Sequence, residues 1–583
     1  MRGALRRALL YARTVRRLRW EQVVYRPLRR VQRWLPVRPG PAEPPDAARM
    51  EALAAALAAW GPGDAAARLA RADEVAEGRF TFVGRTETLG EPEWTRRRVS
   101  HLWSYHLHYF AFGVDLAWAW RLTGEARYAR RFEALAGGWL AACPPGRGDG
   151  WEPYPVSLRV VSWAQALLLF GDALDAGLRA ALLESLHAQA AWLERRLELQ
   201  VLANHLQKNL TALVTAGLLF RGPVAARWRT RGAARLWREL GEQVLDDGGH
   251  YERSPMYHQL AAADFLETVG LLEAAGEAVP AEARARVAKM VEAMGALCRP
   301  DGSLHLFNDA AQGEAPPLAH LAALGARLLG ARPLEAEGAF ALPRTGYFGW
   351  ADAKSAERFV IDCGPPGPSY QPGHAHCDLL SFELDLGGAP LVVDAGVSGY
   401  EGDPLREYVR STRAHNTVSI GGREQSEVWG TFRVARRAEV EGTPRHESPS
   451  AGRWRFEGAY RPYHDRGAVH RRSVERTGDG WRVTDRVEGA RDARLVCWLH
   501  LHPDWAVAAD EGGVTATRGE ASVRIEPFGV DAVRLARGEE GPAQGWHCPR
   551  FGVALPAAAV EMTVHANDGR AFGCAIRLLN DRG

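Results

Sequence analysis

The feature that most constrains this chain is a change of hydrophobic period near Phe340. Upstream, HLHYFAFGVDLAWAWRLTG, SLRVVSWAQALLLFGDAL, NHLQKNLTALVTAGLLF and YHQLAAADFLETVGLLEAAG repeat apolar residues at spacings of three and four, as a helix with one buried face does. Short Gly/Pro/Asp punctuation between them reads as antiparallel helical hairpins, and the spacing is too irregular for a solenoid of fixed repeat. Downstream, LLSFELDL, APLVVDAG, HNTVSIGG, WRFEGAY, GWRVTDRVEG, ARLVCWLHL and ASVRIEPF alternate between turn residues, the pattern of an antiparallel β-sandwich. A chain of 583 residues exceeds one hydrophobic core. The expected layout is a basic N-terminal segment and Pro-rich linker (1–45), a helical bundle or α/α toroid (46–338) and a β-sandwich (339–583). A cleft at the junction of the last two would be the natural ligand site.

Composition narrows the function. With 46% hydrophobic and 25% charged residues the chain is globular, and a net charge of only +3 supplies no global field for nucleic acid. The basic residues are nearly all Arg, whose planar fork suits carboxylate, sulfate or phosphate. Seven scattered cysteines without a CxxC argue against a disulfide framework. At the N-terminus, ALLYA is cut short by Arg13, Arg16 and Arg17, so MRGALRRALLYARTVRRLRWEQVVYRPLRR reads as a basic amphipathic segment and not as a signal peptide. It would lie on a membrane surface or on the protein itself. This favours a cytoplasmic protein or one peripheral on the inner membrane face, with periplasmic or secreted as the alternative. No apolar run approaches a membrane span.

Three polar clusters interrupt the apolar pattern. ANHLQKN packs Asn204, His205, Lys208 and Asn209 into a Leu/Ala-rich helix, and Lys208 follows Asn204 by one helical turn. In DDGGHYERSPMYHQL, Ser254 and Pro255 open a helix whose N-terminus gathers Tyr251, Glu252, Tyr257 and His258, where the dipole favours anions. In GHAHCDLLSFEL, strand alternation puts His374, His376, Asp378 and Phe382 on one face, with Asp394 and His415 in the following strands. Histidines and an aspartate on adjacent strands have the composition of a zinc site. The HxHxD pattern is not a metallo-β-lactamase site, because Leu379 and Leu380 stand where a further histidine is needed. Aromatic stretches HLWSYHLHYF (with Trp103) and WEPYPVSLRV (with Arg159) would line a sugar-binding groove, and 20 Trp residues tilt the reading toward carbohydrate.

Together, WEPYPVSLRV, ANHLQKN, DGGHYERSPMYH, GHAHCDLLSFEL, LVVDAG and RSTRAHNTV resemble, in that order, the heparinase II/III-like family of polysaccharide lyases and its oligoalginate-lyase relatives. The resemblance spans roughly Phe80 to Val434. It implies an incomplete α/α toroid followed by an antiparallel β-sandwich, and β-elimination on an acidic, uronate-containing polysaccharide. It implies that Asn204 hydrogen-bonds the uronate carboxylate, that His205 helps as donor or base, and that Tyr257 takes the C5 proton, protonates the leaving oxygen, or does both. Tyr400 is the implied second tyrosine, with Tyr408 its rival. Arg159, Trp103, Lys208 and His258 are the candidate substrate contacts. His376, Asp394 and His415 match the family's ligands for one structural zinc ion that fixes loops at the cleft, with His374 as the alternative to His376. Two further readings stay open: a toroid-type glycoside hydrolase using Asp246, Asp247, Glu252 or Asp309, and a non-catalytic polysaccharide-binding protein of exopolysaccharide synthesis. Oligomeric state is left open.

Overall fold

The computed structural model describes residues 2–32, 40–450 and 452–579; residues 37–39 of the linker and Arg33 to Leu35 of the basic segment lie outside them. Two helices, Arg2–Val15 and Trp20–Gln32, precede the helical domain. That domain runs from Ala47–Trp60 to Leu318–Leu329 and is interrupted by the small hairpin Arg79–Phe82/Arg85–Thr88. Its helices start where the sequence supplies caps. Asp46, Asp64, Ser100, Asp175 and Ser254 each accept a first-turn amide. Proline fills the first turn at Pro153, Pro223 and Pro255.

Two apolar clusters fill the toroid, one around Phe112, Trp139, Trp163 and Leu218, the other around Leu206, Leu240, Phe265 and Val291. The Pro153–Phe170 helix is apolar enough and long enough to cross a membrane, which the sequence reading did not expect. It is instead the spine of the first cluster, with 14 of its 18 residues buried.

The β domain begins at Gly338 with a meander of five strands ordered along the chain, from Gly338–Leu342 to Ala389–Val392. A second sheet orders Ala532–Arg537, Ala558–Val564, Leu495–His500 and Val418–Ile420. A third, larger sheet has Val469–Arg476, Gly480–Glu488, Phe572–Leu579 and Ala521–Phe528 at its centre. All named strand pairs are antiparallel, and their inner faces share one core that includes Phe359, Phe382, Trp454, Trp481 and Val560.

The two domains are sewn together by a mixed apolar and ionic junction. Met256, Cys298 and Leu306 of the toroid pack with Val397, Tyr408 and Cys548 of the β domain. Beside them Arg299 donates to Glu383 at 2.6 Å and to Asp385 at 3.1 Å, and His305 contacts Glu383 at 2.6 Å. Burial works against the Glu383 charge, but Arg299 and His305 hold its carboxyl at about 2. Removing one partner of such a buried group leaves an uncompensated charge, typically costing about 3–5 kcal/mol. The junction is therefore rigid, and it fixes the floor of the cleft described next.

Candidate active site

Three segments meet at the cleft: the start of the Ala203–Leu219 helix, the loop leading into Pro255–Ala274, and the β-domain loops around His374 and Tyr400. Asn204, Lys208 and Tyr257 line one small pocket together with Tyr154 and Asp264. The Tyr257 hydroxyl lies 3.1 Å from that of Tyr400, and its ring stacks on His374 with centroids 3.8 Å apart. Tyr400 is thereby the cleft tyrosine. Tyr408 is wholly buried in the junction core.

Each side chain is held by others behind it. His205 packs against Tyr154 with centroids 4.5 Å apart and rings tilted by 44°, and meets the buried Glu198 carboxylate through Nδ1 at 3.1 Å. Asn209, one turn on and fully buried, donates to Glu198 at 3.1 Å and to Ser157 at 3.0 Å, and its oxygen accepts the Glu198 amide at 2.8 Å. Burial disfavours the imidazolium, but Glu198 outweighs it and holds His205 above the ordinary histidine value. His205 is thus more readily protonated than a free imidazole, which suits it to donate at the cleft. Lys208 borders the pocket while its ammonium is engaged by Asp264 at 2.7 Å.

Burial pushes both Tyr257 and Tyr400 well above the ordinary phenol value, and each adds to the other's environment. Glu252, buried between His205 and His374, is also pushed up by burial, against the pull of those two rings. Its carboxylate lies 3.7 Å from His374 Nε2.

The residue that organises the β side is Asp309, which the sequence reading ranked only among spare carboxylates. Its two oxygens meet His374 Nδ1 at 2.9 Å, His376 Nε2 at 2.8 Å and both terminal nitrogens of Arg406, one of them at 2.9 Å. Burial would raise the carboxyl, but Arg406 and the histidines hold it well below the usual range. The same loop stitches to the His374 segment through its backbone: Asp309 N donates to His374 O at 3.1 Å and His376 N to Asn308 Oδ1 at 3.0 Å. For this reason GHAHCD is a loop and not the alternating strand expected; the strand is confined to Phe382–Leu386.

Backbone strain gathers here. Leu202, Ala203, Arg253, Asn308 and Leu380 all have φ between 53° and 65°, and each immediately flanks or belongs to a cleft segment. Non-glycine residues in this region cost about 1–3 kcal/mol each and persist only where the surroundings impose them. The DGGHY loop is equally constrained, since a Cβ on Gly249 would meet Thr345 Oγ1 at 1.8 Å.

Several expected substrate contacts are corrected by the structure. Arg159 is fully buried and its guanidinium is spent on Gln189 Oε1 at 3.0 Å, His108 O at 3.1 Å and Gly150 O at 2.7 Å, over the Trp139 ring at 4.0 Å. Trp103 is a core residue that packs on Phe82 at 5.2 Å and donates to Arg85 O at 3.0 Å. His258 is buried too: its Nε2 donates to Met290 O at 2.9 Å and Nδ1 accepts the His250 amide at 3.2 Å. The tryptophans Trp139, Trp151, Trp163 and Trp228 are likewise interior, so their density reports the toroid core and not a stacking groove.

Of the hydrolase carboxylates Glu252 alone lies buried beside His205 and His374 at the cleft, and the other three are exposed or engaged elsewhere. Asp246 is 72% exposed, Asp247 holds the Arg344 and Thr345 amides at 2.7 and 2.8 Å, and Asp309 is saturated.

Of the expected metal ligands, His376 and His415 have rings 5.3 Å apart, and His415 Nδ1 meets Asp394 at 2.8 Å. All three side chains are buried, and His376 Nδ1 and His415 Nε2 have no hydrogen-bond partner. Among the described residues no group of three or more His, Cys, Asp or Glu is gathered as a closed metal cluster. The donor types nonetheless fit zinc, two imidazoles and a carboxylate with buried nitrogens to spare.

Residues 78–322 match the family model for the heparinase II/III N-terminus, and residues 335–577 match that for the heparinase II/III-like C-terminal domain. The chain belongs to the heparinase II/III-like family. Within this family it is similar to a heparin-sulfate lyase of Pedobacter heparinus, 29% identical over 350 residues, covering 54% of this chain and 51% of that protein. It is also similar to a heparin-sulfate lyase of Bacteroides thetaiotaomicron, 25% identical over 379 residues, covering 56% and 53%. The chain thus spans about half the length of these relatives in alignment. In structure, a heparinase III superposes with a TM-score of 0.70 at 19% identity, covering 88% of this chain and 84% of that one. A heparan sulfate lyase from Pedobacter heparinus superposes with a TM-score of 0.59 at 23% identity, covering 90% and 84%. These likenesses establish the shared fold, a helical toroid followed by an antiparallel β-sandwich.

The His205 geometry makes a direct prediction. Without Glu198 burial is opposed only by the more distant charge of Glu252, so Glu198→Gln lowers the pKa of the ring. His205 holds its charge to higher pH in the native protein, losing it as pH rises through the raised value; in the variant the charge is lost at lower pH. Histidine-selective NMR titration, assigned with His205→Gln, checks this; an unmoved titration would show that Glu198 does not set the charge.

Proposed function

We propose that this protein is a polysaccharide lyase that cleaves uronate-containing acidic polysaccharide by β-elimination. The observation that carries the reading is the shared pocket of Asn204 and Tyr257, with His205 at one side and the Tyr257–Tyr400 hydroxyl pair at the other. The names of the similar lyases point the same way.

The chemistry requires such a layout. A proton beside a carboxylate is hardly acidic, because removing it adds negative charge next to an existing one. The Asn204 amide and the His205 imidazolium neutralise the uronate carboxylate, so charge developing at C5 is stabilised where it arises. The C5–H electrons form the C4–C5 double bond, and the C4–O electrons leave with the oxygen. Tyr257, as phenolate, takes the C5 proton, and as phenol returns one to the leaving oxygen. Tyr400 donates its hydroxyl hydrogen bond to the Tyr257 oxygen while it carries charge. Burial keeps both hydroxyls protonated in the empty pocket, so the scarce phenolate is the reactive form.

In the test, a panel of acidic polysaccharides is incubated with the folded protein, and absorbance of the 4,5-unsaturated uronate is followed. At least one member gives signal, and Tyr257→Phe lowers kcat by about 10²–10⁴-fold. New reducing ends without unsaturation would point to a hydrolase. Unchanged polymer bound equally by the native protein and Tyr257→Phe would point to a binding protein.

One zinc ion, held by His376, Asp394 and His415, belongs to the same reading; the two unpartnered buried imidazole nitrogens support it. When bound it would supply loop fixation beside the cleft and no step of the elimination. Elemental analysis of purified protein should give one zinc per chain, lost in His376→Ala or His415→Ala, and chelation should lower the melting temperature. A metal-free protein whose melting is indifferent to added zinc and to chelator would refute the assignment.

A further inference from the structure

More than half of the large apolar side chains that stand exposed among the described residues lie between Leu5 and Val31, in the two helices that precede the region matched by the family. Their distribution is inverted relative to an ordinary surface helix. In Arg2–Val15 the stripe Leu5, Leu9 and Val15 faces solvent, while Arg13 and Thr14 face the protein. Arg13 pairs with Glu427 at 2.9 Å, and Thr14 Oγ1 accepts the Trp429 indole at 3.2 Å. In Trp20–Gln32 the exposed stripe is Trp20, Val23, Val24, Leu28 and Val31, with Trp20 at 68% exposure, whereas Gln22 and Arg29 are buried. The second stripe follows the three-and-four spacing of a single helix face, and in the first Leu5 and Leu9 lie one turn apart.

The inward polar groups anchor the helices firmly. Gln22 donates to Val201 O at 3.2 Å and to Tyr370 O at 3.3 Å, touching the toroid just before Asn204 and the β domain just before His374. Arg19 pairs with Glu242 and lies 3.8 Å over the Tyr370 ring. Apart from the Tyr11 ring, edge-on to Trp429 at 4.8 Å, docking is accomplished by these polar contacts, and the apolar stripes are left for something else.

Arg6, Arg7, Arg16, Arg17, Arg26 and Arg30 are exposed beside those faces, and Glu21 is the one acid between residues 4 and 32. Apolar stripes with Trp and flanking cations match the boundary of an anionic bilayer, where the stripe enters the acyl edge and the cations meet phosphate. A second copy of the chain would set one arginine-rich face against another. We propose that the two N-terminal helices form a docking surface for an anionic phospholipid membrane. Because they touch both walls of the cleft, docking there holds the whole cleft in a fixed orientation to the bilayer.

The test uses the full chain in flotation with phosphatidylcholine vesicles, with and without phosphatidylglycerol. Binding should need the anionic lipid and fall as salt rises. Leu5→Glu/Leu9→Glu/Trp20→Glu/Val24→Glu should weaken it by about tenfold or more with the melting curve unchanged. Arg6→Gln/Arg7→Gln/Arg16→Gln/Arg17→Gln, which leaves the stripes intact, should also weaken it, by about fivefold per charge at low salt. No flotation of the folded native protein, or equal flotation of these variants, overturns the proposal. A dimer in sedimentation equilibrium that the stripe variant abolishes, without vesicle binding, overturns it in favour of self-association.

Discussion

The structure hangs on one buried carboxylate. Asp309 leaves the toroid on a strained loop and receives His374, His376 and Arg406 from the β domain, so four nitrogens of three side chains converge on two oxygens away from water. A carboxylate so enclosed is stable only while its partners stay in place, since an unpaired buried charge costs several kcal/mol. That requirement works in both directions across the junction. It sets His374 under Tyr257, and it sets Arg406 beneath the Tyr400 ring at 5.1 Å. The hydroxyl pair at the cleft is thus positioned by an ion cluster that itself does not face the pocket.

The opposite wall is built on the same principle, again around a buried carboxylate. There a buried anion, Glu198, is held by Asn209, itself anchored on Ser157, and favours the proton of His205 at the cleft edge. One wall carries positive charge and an amide, the other two neutral phenols. In the proposed reaction an acidic sugar would enter such a cleft carboxylate first against Asn204 and His205, with its C5 and C4 substituents facing the tyrosines. Catalysis in the proposed reaction comes mostly from this division of labour, because preorganised donors need not reorient as charge develops.

Much of this was legible in the residues. The switch from helical to strand period locates the sheet start at Gly338 close to where the pattern changes, and the caps at Asp46, Ser100 and Ser254 begin helices where such residues should. Asn204 and Tyr257 could be named from motifs. The role of Asp309 could not, because its partners lie 65 to 97 residues away and no local pattern announces them. Arg159, Trp103 and His258 misled for a related reason: an arginine or tryptophan in a motif looks the same whether it lines a groove or is satisfied in a core by distant carbonyls. The strand expected at His374 failed because Asn308 and Asp309 compete for its backbone and side chains. In the N-terminal helices amphipathicity was visible, but which face turns outward was not; polar anchors such as Gln22, buried by both domains, decide it.

The central claim is a position for the substrate, and the most direct measurement is a crystal structure of the inactive Tyr257→Phe variant soaked with a uronate-containing oligosaccharide. The account predicts a uronate carboxylate between the Asn204 amide and the His205 ring, with its C5–H and the C4 oxygen turned toward position 257 and Tyr400. A sugar whose carboxylate binds elsewhere, or whose glycosidic bond faces a carboxylate and an ordered water, would contradict it.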